Sequence, residues 1–188
     1  MSRIGFKPIP LPDGVSVEIK EHEVTVKGPK GEVSVHVPGD VSVLQEENIL
    51  HIKPKNGVVE DPKLESRNHG TTAANLHNAV TGVKDGWKKE LELSGTGYRA
   101  QMKGASVNMF LGYSHNIEVA PIGKYTKISC PDETHIVVEG VSRQEVGETA
   151  ARIYDSHRPD VYGNKGVHYK GQHLIKKVGK RAATGAKK

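Results

Sequence analysis

Apolar and polar residues alternate through residues 15–20 as V-S-V-E-I-K. The alternation resumes as Val24-Thr25-Val26-Lys27 after the polar turn Glu21-His22-Glu23, and again as Val33-Ser34-Val35-His36-Val37 after Gly28-Pro29-Lys30-Gly31. A period of two sends neighbouring side chains to opposite faces of a sheet, so these runs predict an antiparallel meander with one face buried. Further strands are expected at 41–43 and 49–53, ahead of a polar loop over 56–62. The spacing then turns helical. Asp61 can cap the helix, Pro62 suits its first position, and Ala73, Leu76 and Val80 fall on one face, with an end expected near Gly82.

The second half repeats the scheme. Leu91 and Leu93 alternate before Ser94-Gly95-Thr96-Gly97, read as a tight hairpin, and strands are expected at 107–111, 117–119, 127–129 and 136–139. A second helix opens on Ser142-Arg143-Gln144-Glu145, the pattern of a capping box. Val146, Ala150 and Ile153 form its apolar stripe, and Pro159 stops it. The helices share wording: Gly70-Thr71-Thr72-Ala73-Ala74-Asn75-Leu76 answers to Gly147-Glu148-Thr149-Ala150-Ala151-Arg152-Ile153, a common G-x-T-A-A-x-[LI]. A match at the same place in two strand-rich segments implies internal duplication. The expected fold is therefore α+β, with two homologous domains at 1–82 and 83–158, each an antiparallel sheet packed with a helix. A basic tail follows at 159–188. The paired alanines are read as close helix-to-sheet contacts rather than as chemistry.

Charge changes the picture at one end. Residues 158–188 hold nine Lys and Arg against one acid, Asp160, for a formal +8, while the remainder of the chain comes to −3 and residues 1–82 to −2. Around this surplus lie Tyr154, Tyr162 and Tyr169, and the segment from Pro159 to Gly171 interleaves glycines, cations and aromatics without helical periodicity. Glycines let backbone amides approach phosphates, lysines neutralise them, and tyrosines stack on bases or pack on riboses, which points to a polyanion-binding arm that orders on its partner. No major-groove helix or base-reading motif is present, so structured RNA recognised by shape is favoured over DNA read by sequence. A disordered solubilising tail is the plain alternative, and is the reading adopted for 182–188. No apolar run nears the roughly 20 residues that span a bilayer, and Cys130 is the sole cysteine. A soluble chain in a reducing, cytoplasmic setting is expected, without a membrane partner.

Catalytic and metal chemistry find little support. Ten histidines include no H-E-x-x-H and no pair one turn apart on a predicted helix; His69 and His77 are eight residues apart and read as surface or partly packed side chains. Ser114-His115 sets a hydroxyl beside an imidazole, but adjacent strand residues point to opposite faces and a third orienting group is wanting. Gly95-Thr96-Gly97 lacks the third glycine of a phosphate loop. No enzyme activity, cofactor or metal is expected.

Gly95-Thr96-Gly97-Tyr98-Arg99-Ala100-Gln101, Leu111-Gly112-Tyr113-Ser114-His115 and the segment 159–167, together with the opening Ser2-Arg3-Ile4-Gly5, resemble the bacterial large-subunit ribosomal protein six family. Two departures stand out: Tyr162-Gly163-Asn164-Lys165-Gly166 where the family usually reads Y-K-G-K-G, and Asn116 where a proline commonly follows Ser-His. The resemblance implies a structural constituent of the large ribosomal subunit. In that family the second domain and tail bind large-subunit rRNA near the sarcin-ricin loop, beside the region where translational GTPases act. It further implies neighbouring ribosomal proteins as partners. The residues it singles out for rRNA contact are Arg158, Tyr162, Lys165, Gly166, Tyr169 and Lys170, with Lys176, Lys177 and Lys180 as phosphate neutralisers and Tyr98, Arg99, Ser114 and His115 as weaker candidates. A free RNA chaperone and a small hydrolase using Ser114 and His115 are the competing readings.

Overall fold

The computed structural model describes residues 2–55 and 62–180; Asp61, expected to cap the first helix, and the terminal 182–188 lie outside them. The chain forms two compact units. One holds the residues up to Trp87 together with Gly140–Arg143, the other Lys88–Glu139 and the residues from Gln144 on.

In the first unit the alternating runs become β2 (Ser16–Ile19), β3 (Glu23–Gly28) and β4 (Gly31–His36), the expected meander in the order β2-β3-β4. β5 (Val41–Glu46) and β6 (Ile49–Pro54) pair with each other and with a two-residue strand, β1 (Ile9–Pro10), that carries no alternation to betray it. The long helix α1 (Pro62–Lys84) packs on β3, β4, β5 and β6. Val24, Val26, Leu50 and Ile52 from the strands meet Ala73, Leu76, Val80 and Val83 from the helix in a buried core. Removing that apolar surface from water is the main force holding the unit together.

One reading of α1, that of His69, is corrected. The helix ends at Lys84, near Gly82 as expected, and Gly86, at φ +77°, takes the left-handed turn that follows. Gly82 serves packing instead: a Cβ there would strike the Val141 carbonyl oxygen and lie 2.9 Å from Trp87 Nε1. His69 is not a surface or partly packed side chain. It lies on the same buried stripe as Thr72, Ala73 and Leu76, fully shielded, with Nε2 3.0 Å from the Ile52 carbonyl oxygen and Phe6 edge-on at 4.9 Å.

The second unit holds a four-stranded sheet, β11-β12-β7-β13, and a three-stranded one, β10-β9-β8. Their strands are β7 (Trp87–Ser94), β8 (Arg99–Lys103), β9 (Ser106–Phe110), β10 (Ile117–Val119), β11 (Lys127–Asp132), β12 (His135–Gly140) and β13 (Gly166–Tyr169). The helix α2 (Arg143–Ser156) buries Val146, Thr149, Ala150 and Ile153, and Leu91, Leu93, Val107, Met109, Ile136, Val138 and Val167 complete the interior. The turn at Gly95–Gly97 is not the tight hairpin expected, because β7 and β8 belong to different sheets and the turn carries the chain from one to the other. The shared helical motif occupies equivalent places: Thr72, Ala73 and Leu76 are buried in one copy, and Thr149, Ala150 and Ile153 in the other. Among the described residues no helix is long and apolar enough to cross a membrane.

Candidate nucleic-acid interface

α2 ends at Ser156, and the chain then makes a loop closed by Asp160. The Asp160 carboxylate accepts the Gly163 N–H at 3.0 Å, its carbonyl accepts the Asn164 N–H at 2.8 Å, and its own N–H donates to Lys165 O at 2.9 Å. Asn164 sits at φ 54°, a left-handed conformation that Asn tolerates better than most residues. Asp160, the single acid of the basic stretch, thus holds its loop in shape. Tyr162 and Lys165 project from this loop into solvent.

The loop delivers the chain to β13 through Gly166, where φ is +146° and a Cβ would lie 2.6 Å from Pro159 Cα. From there the segment expected to be an arm that orders only on RNA is a strand: His168 pairs with Glu92 and Tyr169 with Leu91 of β7, and Val167 is fully buried. The reason is a half-hidden alternation. Val167 and Tyr169 face inward while His168 and Lys170 face outward, but four residues flanked by glycines are too few to read as a strand by pattern. Beyond it, residues 171–180 turn back across the loop, with the Lys177 N–H donating to Val161 O at 2.8 Å; Lys176, Lys177 and Lys180 are exposed.

The cations of the segment differ in how they are held. Arg158 Nε donates to Asp155 Oδ1 at 2.9 Å, a hydrogen bond that raises its already high pKa and keeps it charged. Lys170 Nζ lies 2.6 Å from Glu90 Oε2, on the open face of the sheet, and Lys88 reaches the other Glu90 oxygen at 2.9 Å. Hydrogen bonds from Lys170 first and Lys88 second hold Glu90 down to about 2. On the same face Glu92 lies 3.4 Å from His168 and 3.9 Å from His135. Tyr169 stacks on Tyr154, ring centroids 5.3 Å apart, and burial raises its phenol pKa. One face of its ring is therefore occupied by protein.

Four of the expected site residues lie away from the tail in sequence. Tyr98 Oη is within hydrogen-bonding distance of His157 Nε2 at 3.2 Å, so the β7–β8 turn is tied to the residue just before Arg158. Arg99 lies over the Phe110 ring, 4.5 Å from its centroid. Ser114 and His115 stand in the bend between β9 and β10, in the gap between the strands expected at 107–111 and 117–119, both exposed. His115 there stacks on Tyr113, centroids 5.9 Å apart at 17°, and Tyr113 in turn meets His157 at 5.3 Å.

The structure thus brings Tyr98, His115, Arg158 and the Asp160 loop to one region of the second unit, by way of two residues the sequence reading left out, Tyr113 and His157. Tyr113 lay inside the motif Leu111-Gly112-Tyr113-Ser114-His115; His157 carries no local signal, since its role comes from Tyr98, 59 residues away. Arrays of exposed rings beside cations suit stacking on bases and neutralisation of phosphates.

Comparison with known proteins agrees with the duplication and with the resemblance. The family described as ribosomal protein L6 matches the chain twice, over residues 11–86 and 94–170. The large ribosomal subunit protein uL6 of Rubrobacter xylanophilus is 44% identical over 180 residues, 96% of this chain and 99% of the relative. Its namesake in Paracoccus denitrificans is 44% identical over 182 residues, 96% and 99% of the two chains. That of Moorella thermoacetica is 40% identical over 188 residues, the whole of both. With one family signature met twice and likeness running through nearly its full length, the chain belongs to the ribosomal protein L6 family.

Proposed function

We propose that this protein is a structural constituent of the large ribosomal subunit. It binds large-subunit rRNA near the sarcin-ricin loop through its second unit and basic tail, and supports the region where translation factors act. The observation that carries the reading is family membership combined with a formal +8 over residues 158–188. In this reading Arg158, Tyr162, Lys165, Tyr169, Lys170, Lys176, Lys177 and Lys180 meet the RNA, with Arg158, Lys170 and Tyr169 also steadied by Asp155, Glu90 and Tyr154. Gly166 acts through the backbone path it permits. Tyr98 and Arg99 support the loop surface, and Ser114 and His115 extend it. The acidic first unit faces solvent or a neighbouring ribosomal protein, and translational GTPases pass close by. The role is clamping by shape and counterion release, without turnover, in the cytoplasm.

The test is sucrose-gradient fractionation of cells expressing the intact chain and a chain stopped after Gln172, with immunodetection across the gradient. A stop after Pro159 would remove β13 and its buried Val167, confounding binding with folding. The intact chain is expected with the large subunit and the shortened one shifted toward the top. An intact chain that stays at the top would overturn the reading.

A further inference from the structure

The rings of Tyr98, His157, Tyr113 and His115 form a continuous row. Consecutive centroids are 5.4, 5.3 and 5.9 Å apart, and the row runs from the half-buried Tyr98 to the exposed His115. Its inner end is anchored. Tyr98 reaches His157 Nε2, the His157 carbonyl accepts the Val167 N–H at 2.9 Å, and Val167 is wholly buried in the sheet. Gly112, at the start of the bend, lies against the Tyr98 ring, where a Cβ would come within 3.3 Å of Cε1. The outer end is open: Tyr113 is 49% exposed, and the last pair, Tyr113 and His115, is close to parallel at 17°.

A row of rings fixed at its root and ending in a near-parallel pair is more than a packing device. Packing would favour burying Tyr113, whereas this bend spends two aromatic side chains on solvent. A parallel pair presents a flat outer face, and a flat π surface in water gains most from another flat π surface. Arg158, paired with Asp155, follows His157 directly in the chain.

We infer that the Tyr113 and His115 pair receives an unpaired nucleobase of the bound RNA, which extends the row by one ring. The inference rests on the rRNA-binding reading above and adds a base-stacking site at the bend between β9 and β10. Stacking tolerates any base, so the site selects for an unpaired nucleotide at a fixed place rather than for a sequence.

The test uses the full chain and a large-subunit rRNA transcript, with affinity measured across a salt series for the natural protein, His115→Ala, His115→Phe and Tyr113→Leu. Loss of one stacked base is expected to weaken binding roughly tenfold in His115→Ala and Tyr113→Leu. His115→Phe should stay within about twofold of the natural protein because its ring can stack. All four should share one slope of log K against log salt, since no phosphate contact is removed. Equal affinities for all four, or a His115→Ala loss that His115→Phe does not rescue and that flattens the slope, would overturn the stacking site while leaving rRNA binding intact. A natural protein that does not bind the transcript would overturn both. His115 is exposed, and thermal melts of each variant separate a folding defect from a binding one.

Discussion

At Gly166 a side chain has no room and the backbone no alternative, for φ is +146° and Pro159 Cα would lie 2.6 Å from an added methyl. Gly166→Ala should therefore destabilise the second unit by about 2 kcal/mol, read as a lower midpoint in urea. If Gly166 mattered only because a phosphate approaches it, the substitution would weaken RNA binding and leave the midpoint in place. Glu90 gives a pH prediction with a definite sign. Its folded pKa, about 2, lies below the ordinary 4.5, through hydrogen bonds from Lys170 and then Lys88. The stabilisation is complete above 4.5 and is lost as pH falls through about 2. A carboxyl titration followed by NMR should find the Glu90 midpoint well below that of other glutamates, and Glu90→Gln should flatten the acid limb of the stability curve. Charged residue types were legible in the sequence, but their partners were not. Lys170 and Glu90 are 80 residues apart, and only the pairing of β13 with β7 brings them together.

At the scale of elements, α1 offers the sharpest test. Replacing glycine by alanine in a helix interior ordinarily gains about 1 kcal/mol. Gly82→Ala should do the reverse and destabilise the first unit, because its methyl would meet the Val141 carbonyl and the Trp87 indole. A rise in the urea midpoint would show that the first unit can open at this contact without cost. The elements themselves were legible where alternation was long enough. β2 to β4, β5, β6, β9, β10 and β12 and both helices follow apolar patterns, because each buries one face and the sequence must obey the period of the element. β1 and β13 escaped notice, and β8 was implied only as the second arm of the hairpin expected at Gly95–Gly97. β1 has two residues, β8 is R-A-Q-M-K with one inward apolar residue, and β13 has four residues between glycines and cations. Short strands are defined by the neighbour that supplies their hydrogen bonds, and that neighbour is distant in sequence.

For the whole molecule, charge sets the expectation. If six cations, Arg158, Lys165, Lys170, Lys176, Lys177 and Lys180, each neutralise one phosphate of duplex RNA, log K against log salt should fall with a slope near −5. Stopping the chain after Gln172 removes three of them, and the slope should become shallower by roughly 3. A slope near zero for the intact chain would remove counterion release from the account. What the sequence by itself determined is whatever a local pattern or a simple sum can carry. That includes the α+β class, the duplication written in Gly70–Leu76 and Gly147–Ile153, the basic end and the likeness to one family. What only the tertiary structure decided is what depends on chain segments far apart. It made Gly166–Tyr169, inside the expected arm, an edge strand, because Val167 finds its core beside Leu93. It buried His69 under a segment that begins more than sixty residues earlier. And it joined Tyr98, His157, Tyr113 and His115 in one row, since three separate loops meet there and no spacing along the chain records that meeting.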